Sequence, residues 1–209
     1  MKTSNKDSFP ASGFDTWAES YDTSVRVDEF PFMGYEQVLK KIFSLAKAQR
    51  GSSILDVGTG TGNLAMLFAQ AGCIPWCTDF APAMLAEAKR KLPGAHFLQH
   101  DIRQPLPAPF KKRYDLVVSA YVFHHFNLAD KVRLSSMLIK HLSPHGKLVV
   151  ADIAFPDYAS QEKVQQLVGA DWEEEFYWLA DETLVAYHNA GLQAYFEPVS
   201  LCAGVFVIT

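Results

Sequence analysis

Three aspartates each close an apolar run, and a glycine-rich turn follows the first: Asp56 ahead of Gly58-Thr59-Gly60-Thr61-Gly62, then Asp79, then Asp101. Glycines at alternate positions let the main chain turn tightly and approach a ligand with no Cβ in the way, just before a helix N-terminus. The dinucleotide fingerprint requires a glycine where this chain has Asn63, and no Gly-Lys-Ser/Thr ends the turn as a phosphate-cradling loop requires. A carboxylate beside the turn repels a pyrophosphate and favours a ligand with an ammonium group. Asp79 suits both hydroxyls of a ribose. Asp101 suits an exocyclic adenine amine, with the Ile102 N–H for a ring nitrogen and Phe80 and Met84 for the faces of the base. The pattern therefore predicts amino-acid, ribose and adenine subsites on three successive loops. Each aspartate also has a structural alternative: Asp56 organising the turn, Asp79 capping a helix, Asp101 closing an ordinary turn.

A second group has the chemistry to handle an acceptor. His124 and His125 follow the fourth apolar run, where either imidazole is suited to act as a base near neutral pH or else to pack and hydrogen-bond structurally. His124 is the candidate base. Asp152 follows the fifth run and either lines the pocket or caps the next segment. Trp17 and Tyr21 share one helical face as an aromatic lid or as core contacts, and Tyr35 has the same two readings. In the stretch 171–178, Glu175 and Tyr177 are candidate acceptor contacts, because an aromatic wall with a carboxylate suits a cation. The alternative is a solvated acidic face.

Positioning these residues requires alternating strands and helices. Helical spacing is expected over 14–21 and 35–47, a strand at 53–57, a helix at 64–71, a strand at 74–78, and a helix from Pro82 to residue 92. A strand at 96–99 leads into a proline-bearing crossover, 104–110, that should be irregular. Then come a strand at 114–122, a helix at 128–142 and a strand at 147–153. After these the pattern predicts helices at 161–168 and 181–189, then a strand pair at 195–200 and 205–208. Parallel neighbours need crossovers, so this order predicts an α/β fold with a parallel sheet covered on both faces.

The chain has 209 residues, within the range of one core. Its 49% hydrophobic and 20% charged content is that of a globular protein, and a formal charge of −4 disfavours gripping nucleic acid. No apolar run approaches a membrane span, and the first residues lack a signal-like stretch, so a cytoplasmic location is expected. Cys73, Cys77 and Cys202 lack the paired spacing of a zinc site and read as buried thiols, so no metal is expected.

The stretches Ile54-Leu55-Asp56-Val57-Gly58-Thr59-Gly60, Thr78-Asp79-Phe80-Ala81-Pro82-Ala83-Met84, His100-Asp101-Ile102, Tyr114-Asp115-Leu116-Val117-Val118-Ser119 and Leu142-Ser143-Pro144-His145-Gly146 together resemble a class I S-adenosylmethionine-dependent methyltransferase. Trp17-Ala18-Glu19-Ser20-Tyr21-Asp22 and Phe123-His124-His125-Phe126 resemble the small bacterial YrrT-type, methyltransferase-25-like group. The resemblance implies a Rossmann-like three-layer sandwich with a mostly parallel seven-stranded sheet and an antiparallel last strand. It implies S-adenosyl-L-methionine as cofactor, S-adenosyl-L-homocysteine as product, and cofactor contacts from Asp56, Gly58, Gly60, Asp79, Met84, Asp101, Ile102 and Ser119. Tyr21 and Phe80 complete the expected cofactor set, and Trp17, Tyr35, His125, Asp152, Glu175 and Tyr177 the acceptor set. Ala81 stands where the family often has Ser, and His145 where it commonly has Gly.

One domain, 1–209, is expected: a helical lid at 1–50, a cofactor core at 51–153, an acceptor-side insertion at 154–180, and the last helix and strands at 181–209. The expected activity is methyl transfer to a small-molecule acceptor by in-line displacement, with a monomer or homodimer that binds neither membrane nor nucleic acid. A non-catalytic S-adenosylmethionine-binding domain and a nicotinamide-dependent oxidoreductase are the alternatives.

Overall fold

The computed structural model describes residues 11–209. Five strands alternate with crossovers: β1 (Ser53–Val57), β2 (Ile74–Asp79), β3 (His96–Gln99), β4 (Tyr114–Ala120) and β5 (Leu142–Phe155). Near the C-terminus come a two-residue β6 (Trp178–Leu179), then β7 (Ala194–Pro198) and β8 (Ala203–Ile208). The sheet order is β3-β2-β1-β4-β5-β8-β7, with β6 added to the end of β5. β1 to β5 pair in parallel, and β8 inserts antiparallel between β5 and β7. The expected mostly parallel sheet with an antiparallel last strand is therefore present, with β6 as an addition.

Central strands are covered on both sides, so their alternate residues feed two separate cores. On one face Ile54 and Val118 pack with Val38 and Ile42 of α3 (Tyr35–Ala46) and Leu64 and Phe68 of α4 (Asn63–Gln70). On the other, Leu55, Val57 and Val117 meet Leu134 and Leu138 of α6 (Leu128–Leu138) and Tyr187 of α8 (Ala180–Asn189). Between these, α5 (Pro82–Lys91) covers β2 and β3, and α7 (Tyr158–Val168) follows β5. The 104–110 crossover is irregular as expected, and Cys73, Cys77 and Cys202 are buried free thiols. Among the described residues no helix is long and apolar enough to cross a membrane.

β5 begins earlier than hydrophobic patterning indicates. Leu142 already pairs with Tyr114, and the register then shifts before Leu116 meets Lys147. His145, at φ 67°, takes the left-handed conformation that favours glycine, which accounts for the family's usual residue there.

The N-terminal segment contributes α1 (Ala11–Trp17) and a single turn, α2 (Tyr21–Ser24). α1 packs on α5 and supplies something its own sequence lacks. The N-cap of α5 is Ala81, which has no capping side chain, and Asp15 Oδ1 instead accepts the Ala83 N–H at 2.9 Å. Asp22 accepts from Thr61 Oγ1 at 2.6 Å, from Asn63 Nδ2 at 3.0 Å and from Lys91 Nζ. Burial opposes ionisation of Asp22, but those three donors outweigh it and hold its carboxyl below the usual range. The segment is thereby fastened to the glycine turn and to α5.

Candidate active site

Beyond the C-terminal ends of β1, β2, β4 and β5 lies a cavity of about 490 Å³, within the size range of small-molecule sites. At one end the glycine turn is folded against β2: Gly58 and Thr59 N–H donate to the Thr78 carbonyl at 2.8 and 2.9 Å, and Gly60 N–H donates to Asp79 Oδ2 at 2.8 Å. Gly58 and Gly60 both have positive φ, 69° and 54°. A Cβ on Gly58 would stand 2.3 Å from Val122 Cγ2, so glycine there permits close packing of the turn on the loop after β4. At Gly60 nothing lies within 4 Å of that position, leaving space on the cavity side.

Asp79 is buried at the cavity wall, its other oxygen accepting the Ala81 N–H at 2.9 Å. Burial raises its pKa, against the pull of these backbone donors. A carboxylate has about four acceptor sites, so these two bonds leave capacity for a ligand's hydroxyls. Phe80, Met84 and Tyr21 also line the cavity. The residues present thus fit the ribose and base of a nucleoside cofactor.

Asp56 takes a different position. It lies behind the turn, accepting Thr59 Oγ1 at 2.6 Å, and does not reach the cavity wall. Burial raises its pKa to about 7, with Thr59 opposing and the charge of Asp79 adding. Ser119 donates to the Val57 carbonyl at 2.7 Å, joining β4 to β1 below the cavity. Asp101 forms a two-pronged pair with Arg103, whose Nε and Nη2 lie 3.0 and 2.7 Å from its oxygens and lower its pKa. Ile102 lines a separate apolar cavity of about 250 Å³ with Val57, Thr78 and Met137. The hydroxyl of Tyr35 accepts from Asn63 at 3.3 Å behind the main cavity.

At the far end β4 and β5 bring His124 and Asp152 together. Asp152 Oδ1 meets His124 Nδ1 at 2.6 Å, and Oδ2 accepts the His124 backbone N–H at 2.8 Å. Ile153 N–H and Trp178 Nε1 donate to the same fully buried carboxylate at 2.8 and 3.3 Å. Desolvation alone would raise its pKa, but the charges of His124 and Lys131 and these donors hold it below the usual value. An ionised carboxylate only accepts, so Nδ1 is the donor, and in the neutral ring Nε2 carries the lone pair. His124 and His125 line the cavity while Asp152 stands behind them. For His125, burial and the neighbouring His124 lower the pKa to about 3, which leaves the ring neutral at physiological pH.

The acidic-aromatic stretch forms part of the wall through Glu175 and Tyr177. It is held by a residue that sequence reasoning overlooked. Lys131 is buried, its Nζ stands 4.4 Å over the Trp178 ring and donates to the Phe176 carbonyl, and Phe176 N–H donates to the His124 carbonyl at 3.0 Å. Burial lowers the pKa of Lys131 to about 7, with Asp152 opposing. The signal was available, since Lys131 shares the i, i+3, i+4, i+7 stripe of α6 with Leu134, Ser135 and Leu138, all buried. Trp17 and Phe14 line the cavity from α1.

A methyltransferase-domain signature matches residues 54–146. An uncharacterized methyltransferase of Geobacillus kaustophilus is 34% identical over 181 residues, covering 84% of this chain and 80% of the relative. The uncharacterized methyltransferase YrrT of Bacillus subtilis is 30% identical over 174 residues, covering 81% and 78%. Among solved structures, the DhpI-SAM-HEP complex superposes with a TM-score of 0.72 at 17% identity, covering 95% of this chain and 94% of that one. With the relatives fixing the family and the superposition the fold, this chain belongs to the methyltransferases and shares the fold of the DhpI-SAM-HEP complex.

Proposed function

We propose that the protein transfers the methyl group of S-adenosylmethionine to a small-molecule acceptor inside the 490 Å³ cavity. The observation that carries this reading is the continuity of that cavity. Gly60 and Asp79 line one end, His124 and Tyr177 the other, and Trp17 and Tyr21 of the N-terminal segment line it too. A cavity of this size suits a small acceptor beside the cofactor.

S-adenosylmethionine, when bound, supplies an electrophilic methyl carbon on a sulfonium. The protein's part is to orient the reactants and exclude water. Asp79 accepts the ribose hydroxyls, the Gly58–Gly60 main chain gives close approach, and Phe80 and Met84 contact the base. Asp56 shapes the turn through Thr59, and the cofactor's ammonium group, once bound nearby, favours its ionised form. Asp101 and Ile102 serve the adenine edge, with Arg103 exchanging its carboxylate contact for that role. Ser119 and Tyr35 fix the strands and helix beneath. His124, its tautomer set by Asp152, takes the acceptor's proton at Nε2. His125, Glu175 and Tyr177 contact the acceptor, and Trp17 closes over it.

Calorimetric titration with S-adenosylmethionine, S-adenosylhomocysteine and NADH should show binding of the first two alone. Labelled methyl from the donor should then appear in a small-metabolite fraction and not in RNA, DNA or protein. Binding of NADH alone, or label confined to macromolecules, would overturn the reading.

A further inference from the structure

Away from Asp79, the cavity wall carries Asp171, Glu173 and Glu175 but, among the described residues, no lysine or arginine. Asp171 and Glu173 stand exposed at the rim, whereas the Glu175 side chain is only 25% exposed. The ring of His125 comes within 4.0 Å of its carboxylate, but burial keeps that imidazole neutral near physiological pH, its pKa lowered to about 3. His125 therefore brings no positive charge to Glu175 at that pH.

Beside it two aromatic rings meet nearly at right angles. Phe30 and Tyr177, both in the wall, have centroids 6.1 Å apart and planes at 85°. Trp172 supports the pair from behind, stacked on Phe30 at 5.1 Å and edge-on to Tyr177 at 4.9 Å. Ring faces set at an angle beside a carboxylate make a seat for an ammonium group, since the ring quadrupole and the carboxylate attract the same charge. The protein's own cations do not fill it: among the described residues the cation–π contacts are Lys112 over Trp76 and Tyr114 and Lys131 over Trp178.

We propose that the acceptor carries a positively charged ammonium group, seated against Glu175 between Phe30 and Tyr177, and a second N–H or O–H group that receives the methyl. This rests on the methyltransferase reading of the cavity. The lone pair of the nucleophilic nitrogen or oxygen forms the new bond to the methyl carbon. The carbon–sulfur bond breaks with its electrons staying on sulfur, and the proton released by the acceptor passes to His124 Nε2. A cationic acceptor next to a cationic donor is repelled by it, and Glu175 offsets that repulsion on the acceptor side.

The test uses the whole protein saturated with S-adenosylhomocysteine, so that a probe cation reads only the acceptor end. Choline is compared with its uncharged carbon isostere, in which a tert-butyl group replaces the trimethylammonium, by ligand-observed NMR. Choline should bind at least about tenfold more tightly than the isostere. Glu175→Gln should reduce that preference severalfold, and Tyr177→Leu should weaken choline, while both variants keep the wild-type affinity for S-adenosylhomocysteine and so report an intact fold. Equal binding of the two probes, no binding of choline, or a preference undiminished in Glu175→Gln would overturn the proposal. Failure of the wild type to bind S-adenosylhomocysteine would instead remove the reading beneath it.

Discussion

In the proposed reaction Asp79 holds the cofactor and His124 takes the proton, and single substitutions should separate the two. Asp79 is buried and accepts main-chain N–H groups from Gly60 and Ala81, so its orientation is set before any ligand arrives. Asp79→Ala should weaken S-adenosylhomocysteine binding by about 1–3 kcal/mol, the cost of leaving two desolvated hydroxyls without an acceptor. An unaltered dissociation constant in calorimetry would remove the ribose assignment. His124 touches the other end of the cavity, and Asp152 fixes its ring at 2.6 Å. His124→Gln should therefore keep cofactor affinity while lowering the rate of methyl transfer about a hundredfold or more, the usual contribution of a positioned base. Once an acceptor is in hand, normal turnover in that variant would show that the acceptor loses its proton without help.

At the scale of elements, the acceptor wall depends on α6. Phe176 is held through both sides of its peptide, its N–H by His124 and its carbonyl by Lys131. In Lys131→Met the side chain keeps its length and loses its charge and donor. Hydrogen exchange should then quicken across residues 171–177 with S-adenosylhomocysteine affinity retained, and unchanged protection there would refute the clamp. Global stability should move by no more than about 1 kcal/mol, because relief of a buried charge offsets the lost hydrogen bond. The same elements show what sequence made legible. The alternating order from β1 to β5, the glycine turn and Asp79 could be read because each follows local chemistry: apolar runs, tight turns, an acid at a strand end. β6 could not, since two residues, Trp178 and Leu179, hold no periodicity and pair only because the end of β5 is there to receive them. The cap that Asp15 gives α5, the latch of Asp22 and the pairing of Asp101 with Arg103 were equally hidden. The first two join residues far apart in sequence, and the third depends on which way a flexible arginine folds.

For the molecule as a whole, burial shifts the base His125 and the acid Asp56 so that their effects on stability oppose each other. His125, with a folded pKa of about 3 against about 6.5 when exposed, is buried neutral. Its contribution is present above pH 6.5 and is lost as pH falls towards 3, at up to about 1.4 kcal/mol per pH unit. Asp56 runs the other way. Its pKa rises from near 4 to about 7 in the fold, so its contribution is present below pH 4 and is lost as pH rises through 7. Between roughly pH 4.5 and 6.5 these two slopes oppose each other, with Asp79, also raised by burial, acting in the same sense as Asp56, whereas the lowered carboxyls of Asp22, Asp101 and Asp152 act at more acid pH. Removing either group should expose the other. Relative to wild type, His125→Gln should become more stable as pH falls from 6.5 to 4.5, and Asp56→Asn less stable over the same interval, whatever constant offset each substitution brings. Thermal melts of the three proteins at five pH values read this directly. Parallel curves for both variants would mean that neither group is desolvated as the fold requires.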